Sequence, residues 1–297
     1  MAPRIATRGS ALALVQAKQV ADMLGGAELV EVSSDGADPG DKARFVRGVE
    51  RALLDGDADI GVHSAKDVPA ELTEGLMLAS VPPREDPADA WIGVGDSLDD
   101  VPEGARIGTA SLRRRAQVLA ARPDLEVGEL HGNVDTRLGK LAAGEHDAIV
   151  LAMAGLRRLG RAGEAAFALP SEVMTPAAGQ GSLVLQIRDD DAEALAAVEP
   201  LTDGPSLREL TAERALVTLL GATCNSPLGV CGRVDLGSGR MSLDAFVGLP
   251  DGSEWVRDRI EGDSAEPTLL GAELAERLIG AGGRDLLDRA ENQAGRS

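Results

Sequence analysis

The feature that most constrains this chain is an alternation of short apolar strands with amphipathic helical stretches, run through twice between residues 4 and 152. Arg4 to Arg8 reads as a strand, Gly9-Ser10 turns into a helix with apolar positions at Leu14, Ala17, Ala21 and Leu24, and Gly25-Gly26 closes it. A strand over Glu28 to Val32, a polar loop from Ser33 to Asp41, a helix carrying Phe45, Val49 and Leu53, and a strand from Asp59 to His63 follow. Past the rigid turn-forming stretch Pro82-Pro83-Arg84-Glu85-Asp86-Pro87 the order repeats. The second run has strands at Arg106 to Thr109, Leu125 to Leu130 and Ala148 to Ala152, with helices at Leu112 to Ala121 and, capped by Asn133, Val134 to Ala142. This order predicts two parallel or mixed sheets with helices on both faces.

The rest of the chain completes three bodies. Pro176-Ala177-Ala178-Gly179-Gln180-Gly181 is a second flexible crossing, and the Val/Leu/Ile strand from Ser182 to Ile187 is placed to return to the first sheet. Two crossings between two similar lobes predict a hinged cleft. A helix from Pro205 to Gly221, strands at Leu228 to Leu236, Met241 to Leu249 and Trp255 to Ile260, and a covering helix from about Pro267 to Ile279 read as a small α+β domain with an antiparallel three-stranded sheet. The expected division is residues 1–84 with 179–199, 85–178, and 203–297.

Composition narrows the partners. A formal net charge of −19 argues against nucleic acid or an anionic membrane, which need a basic footprint. No apolar stretch is long enough to span a bilayer, and no signal-peptide pattern opens the chain, so a cytoplasmic protein is expected, with Cys224 and Cys231 as free thiols. His63, His131 and His146 are scattered, and no metal is expected.

Against that acidic background, Gly104 to Arg161 carries ten Lys/Arg and six Asp/Glu, a local charge of +4. Arg113-Arg114 opens the helix after one strand, Arg137 lies in the helix after the next, and Arg158 follows the third, all toward one edge of the sheet. Arginine grips carboxylate or phosphate through a planar fork, and helix N-termini at that edge also favour anions, so the implied ligand is multiply anionic. No phosphate-cradling loop of the GxxxxGK[ST] type is present. Ser64-Ala65-Lys66-Asp67 sits past a strand's C-terminal end, where open α/β sheets place ligand groups, although a solvated Lys–Asp pair would read the same locally. Cys224, in the loop Gly221-Ala222-Thr223-Cys224-Asn225-Ser226-Pro227, is either a small turn residue or an attachment point, since a thiolate is readily alkylated.

In this order, Arg4-Ile5-Ala6-Thr7-Arg8-Gly9-Ser10, His63-Ser64-Ala65-Lys66-Asp67-Val68-Pro69, Arg84-Glu85-Asp86-Pro87, Gly108-Thr109-Ala110-Ser111-Leu112-Arg113-Arg114, Gly132-Asn133-Val134-Asp135-Thr136-Arg137-Leu138 and the Cys224 loop resemble the hydroxymethylbilane synthase, or porphobilinogen deaminase, family. The resemblance runs from residue 4 to about residue 260. It implies two periplasmic-binding-protein-like α/β lobes and a monomeric transferase of tetrapyrrole (heme) biosynthesis. The implied reaction is stepwise deaminating condensation of porphobilinogen onto a covalent dipyrromethane primer, followed by hydrolytic release of hydroxymethylbilane. By motif position Cys224 is the thioether site and Asp67 the catalytic carboxylate. Ser64, Lys66, Asp67, Thr109, Ser111, Arg113 and Arg114 are implied to hold the primer. Arg8, Ser10, Gln16, Arg137 and Arg158 are implied to hold substrate, with weaker parts for His131 and Lys42. Two departures stand out: His131 replaces the Arg that the family usually has before Gly-Asn, and residues 38–45 are shorter and less Gly/Lys-rich than the family's active-site loop. Those departures leave a divergent paralogue with impaired or altered elongation as one alternative, and the two lobes alone also fit a non-enzymatic two-lobed polycarboxylate binder; a binder needs neither Cys224 nor Asp67.

Overall fold

In the computed structural model, which describes residues 2–33, 44–223 and 225–294, helices begin where short polar side chains can accept a free backbone N–H. Ser10 accepts from Ala13, Ser111 from Arg114, Asn133 from Thr136 and Asp191 from Ala194. The chain runs β1 (Arg4–Arg8), α1 (Ala11–Met23), β2 (Glu28–Val32), α2 (Arg44–Leu54), β3 (Ile60–Ser64), a single 3-10 turn (Ala65–Asp67) and β4 (Leu76–Ser80). Then come β5 (Asp89–Gly93), β6 (Arg106–Gly108), α3 (Leu112–Ala121), β7 (Glu126–Gly128), α4 (Val134–Ala142), β8 (Ala148–Ala152), α5 (Met153–Arg158) and β9 (Phe167–Leu169). It ends with β10 (Leu183–Arg188), α6 (Ala192–Val198), α7 (Gly204–Leu220), β11 (Leu228–Asp235), β12 (Arg240–Gly248), β13 (Trp255–Asp263), α8 (Pro267–Gly280) and α9 (Gly283–Ala294).

Two compact units result, Met1–Glu85 with Gly181–Leu207 and Asp86–Gln180 with Arg208–Ser297. The first holds a five-stranded sheet of order β2-β1-β3-β10-β4, in which β2, β1 and β3 are parallel and β10 runs antiparallel to both neighbours. Residues Ala17, Val20 and Ala21 of α1 pack with Ile5, Ile60 and Val62 on one face, while Val49 and Leu53 of α2 pack with Ala6 on the other. The opposed helices put a topological switch point between β1 and β3, where loops splay apart and leave room for a ligand.

The second unit repeats the plan as β7-β6-β8-β5-β9, with β7, β6 and β8 parallel and β5 antiparallel to β8 and β9. It also contains the antiparallel meander β11-β12-β13. Leu216 of α7, Leu274 of α8 and Leu287 of α9 bury one face of that meander against Val230 and Leu243. Gly252 brings its turn onto α3, since a Cβ there would lie 2.5 Å from the Ala120 nitrogen, and its φ of +73° also suits glycine.

The expected βα order, the return of residues 182–187 to the first sheet and the meander are all present. Sequence reading did not find β4, β5, α5, β9, α6 or α9. Strand β5 opens with a charged residue directly after a proline-rich stretch, and β9 is three residues long. Helix α9 follows the breaker run Gly280-Ala281-Gly282-Gly283, at which the amphipathic pattern stops.

One buried polar chain crosses the first sheet. His63, 4% exposed, bonds Gln186 Oε1 through Nε2 at 2.9 Å. Gln186 donates to Glu50 at 3.0 Å, which accepts from Thr73 at 2.8 Å. Burial is the main reason the imidazole is pulled from 6.5 down to about 4, with Arg8 adding and Gln186, Glu50 and Asp67 opposing. Because the unfolded chain binds that proton more readily, the contribution of neutral His63 is complete above pH 6.5 and is lost as pH falls to about 4. The gap corresponds to about 3 kcal/mol. Urea unfolding at pH 7 and pH 4.5 is expected to show a shallower loss in His63→Gln than in the wild type. Equal losses would mean another group carries the dependence.

Candidate functional site

Each unit gathers its polar groups at the carboxyl ends of its parallel strands. In the first unit, Arg8 ends β1, Ser10 caps α1, and Ser64 ends β3. Gln16 projects from α1 and donates to Ser64 Oγ at 2.9 Å, tying the two loops together. Lys66 and Asp67 lie in the 3-10 turn, both half-buried, and the Ala65 N–H donates to the Ser182 carbonyl at 3.0 Å, fixing that turn to the chain entering β10. Among the described residues no side chain or backbone group hydrogen-bonds the Asp67 carboxylate. The structure thus brings together Arg8, Ser10, Gln16, Ser64, Lys66 and Asp67.

In the second unit, Thr109 and Ser111 follow β6. The Ser111 N–H donates to Thr109 Oγ1 at 3.2 Å, and Ser111 in turn caps α3, which begins with the arginines. Arg113 and Arg114 are buried, at 4% and 6% exposure, on an acid that sequence reasoning missed. Asp89 on β5 is fully buried: its Oδ2 accepts from Arg113 Nη1 at 2.7 Å, and its Oδ1 from Arg114 Nη2 at 2.7 Å, Arg114 Nε at 3.0 Å and Gln180 Nε2 at 3.0 Å. Arg114 spends its remaining nitrogen on the Val150 carbonyl at 2.8 Å. Arg113 differs, because both its bonds leave from Nη1, to Asp89 and to the Thr175 carbonyl at 2.8 Å. Its Nε and Nη2 have no partner among the described residues. The two guanidinium ions keep Asp89 ionised far below the usual carboxylate range even though burial, the largest single influence, opposes it.

Arg137 on α4 is half-buried and bonds the Gly132 carbonyl through Nε at 2.8 Å. No carboxylate pairs with it among the described residues. Desolvation first, then the charge of Arg114, pull its guanidinium down to about 10. Among the described residues Arg113 and Arg114 therefore share one carboxylate and Arg137 pairs with none, leaving an excess of positive charge. Other cations of this unit are neutralised: Arg106 on Asp147, Arg122 on Asp124 and Arg157 on Asp86. Arg158 closes α5, half-buried. His131 is exposed and bonds Glu129 at 2.9 Å. Cys224 and Lys42 lie outside the described residues. The clue to Asp89 was available in sequence only indirectly, as two adjacent arginines on a buried helix face that demand a counter-charge.

Each unit of this α/β protein thus ends its parallel strands in polar and charged side chains: the first with a carboxylate that no described residue pairs, the second with three arginines to which the described residues supply one carboxylate partner, Asp89, held by Arg113 and Arg114. The family model for "Porphobilinogen deaminase, dipyromethane cofactor binding domain" matches residues 4–196, and that for "Porphobilinogen deaminase, C-terminal domain" matches 207–280. The chain belongs to the porphobilinogen deaminase (hydroxymethylbilane synthase) family, which are transferases of tetrapyrrole biosynthesis. A porphobilinogen deaminase of Syntrophus aciditrophicus is 43% identical, covering 97% of this chain and 99% of the relative. One from Thermus thermophilus is 44% identical, covering 95% and 97%. Among solved structures, a putative methionine-binding lipoprotein of Bacillus subtilis aligns over 67% of this chain and 89% of its own, at 15% identity and a TM-score of 0.42. Among the described residues no helix is long and apolar enough to cross a membrane.

Proposed function

We propose that this chain condenses porphobilinogen head to tail with loss of ammonia, extending a dipyrromethane group held by thioether at Cys224, and releases hydroxymethylbilane by hydrolysis. The observation that carries the reading is the arginine surplus. Among the described residues Arg113 and Arg114 share only Asp89 and Arg137 has no carboxylate partner, and a ligand bearing several carboxylates supplies the missing negative charge. Dipyrromethane fits that demand, and when bound it supplies the pyrrole carbon to which the first substrate is joined.

The residues divide the work by what they have left to offer. Arg113 presents Nε and Nη2 to a carboxylate, whereas Arg114 contributes its charge and its grip on Asp89. Ser64, Lys66, Thr109 and Ser111 complete the hold on the bound group, while Arg8, Ser10, Gln16, Arg137 and Arg158 hold incoming substrate, with His131 and Lys42 as lesser contacts. Asp67 accepts from the substrate's pyrrole N–H, carries the proton as ammonia leaves and offsets the developing positive charge. The net charge of −19 and two cysteines suit a cytoplasmic protein without nucleic-acid partners.

Intact-protein mass measurement tests the proposal. The native chain should carry an adduct of dipyrromethane mass that Cys224→Ala abolishes; an unmodified native chain would refute it. Arg137→Gln is expected to raise KM about 10- to 100-fold, the worth of a charge-assisted hydrogen bond. Its melting temperature should fall little, because among the described residues the side chain has no ion pair to lose, only its hydrogen bond to the Gly132 carbonyl. An unchanged KM would remove Arg137 from the site.

A further inference from the structure

The second unit contains a half-buried cation that the reaction does not use. Arg257, on β13, lies over the Phe246 ring at 5.3 Å and the Trp255 ring at 6.0 Å; among the described residues no carboxylate forms a salt bridge with it, and the charges of Asp244 and Glu172 attract it only at longer range. Its Nε is buried without a hydrogen bond, and desolvation pulls its guanidinium below the ordinary value. Hydrocarbon would fill that space at lower cost, so what the charge touches matters. Nη2 donates to Gln117 Oε1 at 3.1 Å and to the Val173 carbonyl at 3.1 Å.

Gln117 is 1% exposed and lies one turn after Arg113 on α3. It clamps Thr175 from both sides: Oε1 accepts from the Thr175 N–H at 2.7 Å, and Nε2 donates to the Thr175 carbonyl at 3.0 Å. That carbonyl is also an acceptor for Arg113 Nη1, at 2.8 Å. Two donors aimed at Oε1 fix which way the amide faces, and a cationic donor there polarises the amide so that Nε2 is a better donor. The same segment is held to the meander by the Val230 N–H, which donates to the Pro176 carbonyl at 2.8 Å.

We propose that Arg257 is a positioning residue for Arg113, acting through Gln117 and the Thr175 carbonyl. It holds Nη1 in place so that Nε and Nη2 face a ligand carboxylate. The meander that follows the Cys224 loop thereby sets the aim of an arginine on α3 within the same unit. The inference rests on the assignment of Arg113 to anion binding.

The test is a double-mutant cycle on the holoenzyme with Arg257→Met, which keeps the aliphatic stem over the rings, and Arg113→Gln. Arg257→Met is expected to raise KM for porphobilinogen about three- to tenfold with kcat within about twofold, and to have no further effect in the Arg113→Gln background. Arg257→Lys, which restores a cationic donor, should recover at least half of the loss. Additive effects of the two substitutions, or an unchanged KM in Arg257→Met, would overturn the positioning role. If Arg257→Met folds poorly, failure of Arg257→Lys to differ from it in KM at matched folded fraction would overturn it equally. An unchanged KM in Arg113→Gln alone would instead overturn the assignment of Arg113.

Discussion

Asp89→Ala is expected to cost about 3–5 kcal/mol of unfolding free energy, the penalty for removing one member of a buried ion cluster. Four donors converge on this carboxylate, from Arg113, from Arg114 twice and from Gln180, and nothing else among the described residues neutralises either arginine. Without it, two guanidinium ions at 4% and 6% exposure repel each other away from water. In a unit of this size that loss lowers the melting temperature by roughly 10 °C. The pH dependence has a definite sign. Asp89 is held far below its ordinary 3.8, so its contribution is complete above that value and fades as pH falls. Asp89→Ala should therefore show a shallower acid-side loss than the wild type in urea unfolding between pH 5 and pH 3. A destabilisation under about 1 kcal/mol would mean that the arginines find other partners and that the cluster is not held by its charge.

What was legible in the sequence follows the range of the interactions involved. Ser10, Ser111 and Asn133 cap helices with N–H groups three residues away, so α3 and α4 begin where local pattern places them. Runs such as Ala148-Ile149-Val150-Leu151-Ala152 announce a buried parallel strand by themselves. Asp89 does not, because an acid opening a strand looks like a surface residue until Arg113 and Arg114 are known to reach it from α3, more than twenty positions along the chain. A larger separation, 58 positions, hid the clamp between Gln117 and Thr175. Positive-charge density along Gly104 to Arg161 was visible, but charge counting could not tell Arg137, which has no counter-ion among the described residues, from Arg122, which has Asp124. For the site, sequence named the residue types that a polyanion requires, and only tertiary pairing distinguished arginines with nitrogens to spare from those already committed.

Asp67→Asn is expected to slow ammonia release about 10²- to 10⁴-fold while leaving stability within about 0.5 kcal/mol of the wild type. The contrast with Asp89 carries the argument. Asp89 accepts from four donors and is fully buried, so its charge is consumed by the fold. Asp67 is half-buried, ends a 3-10 turn anchored through Ala65 to Ser182, and accepts no hydrogen bond from any described residue, so its charge is available to a ligand. An amide in its place keeps the volume and one acceptor oxygen but removes the proton acceptor and the negative charge that offsets a developing cation. Substrate binding should survive, since the arginine surplus is untouched, and equilibrium binding measured beside single-turnover ammonia release separates the two effects. Asp67→Glu tests placement. Its carboxylate stands one methylene further from a turn that cannot back away, and misplacement by about 1 Å costs on the order of a hundredfold. Asparagine turnover within tenfold of the wild type would show that another group moves the proton, and a large loss of stability in Asp67→Asn would show that this carboxylate, like Asp89, serves the fold.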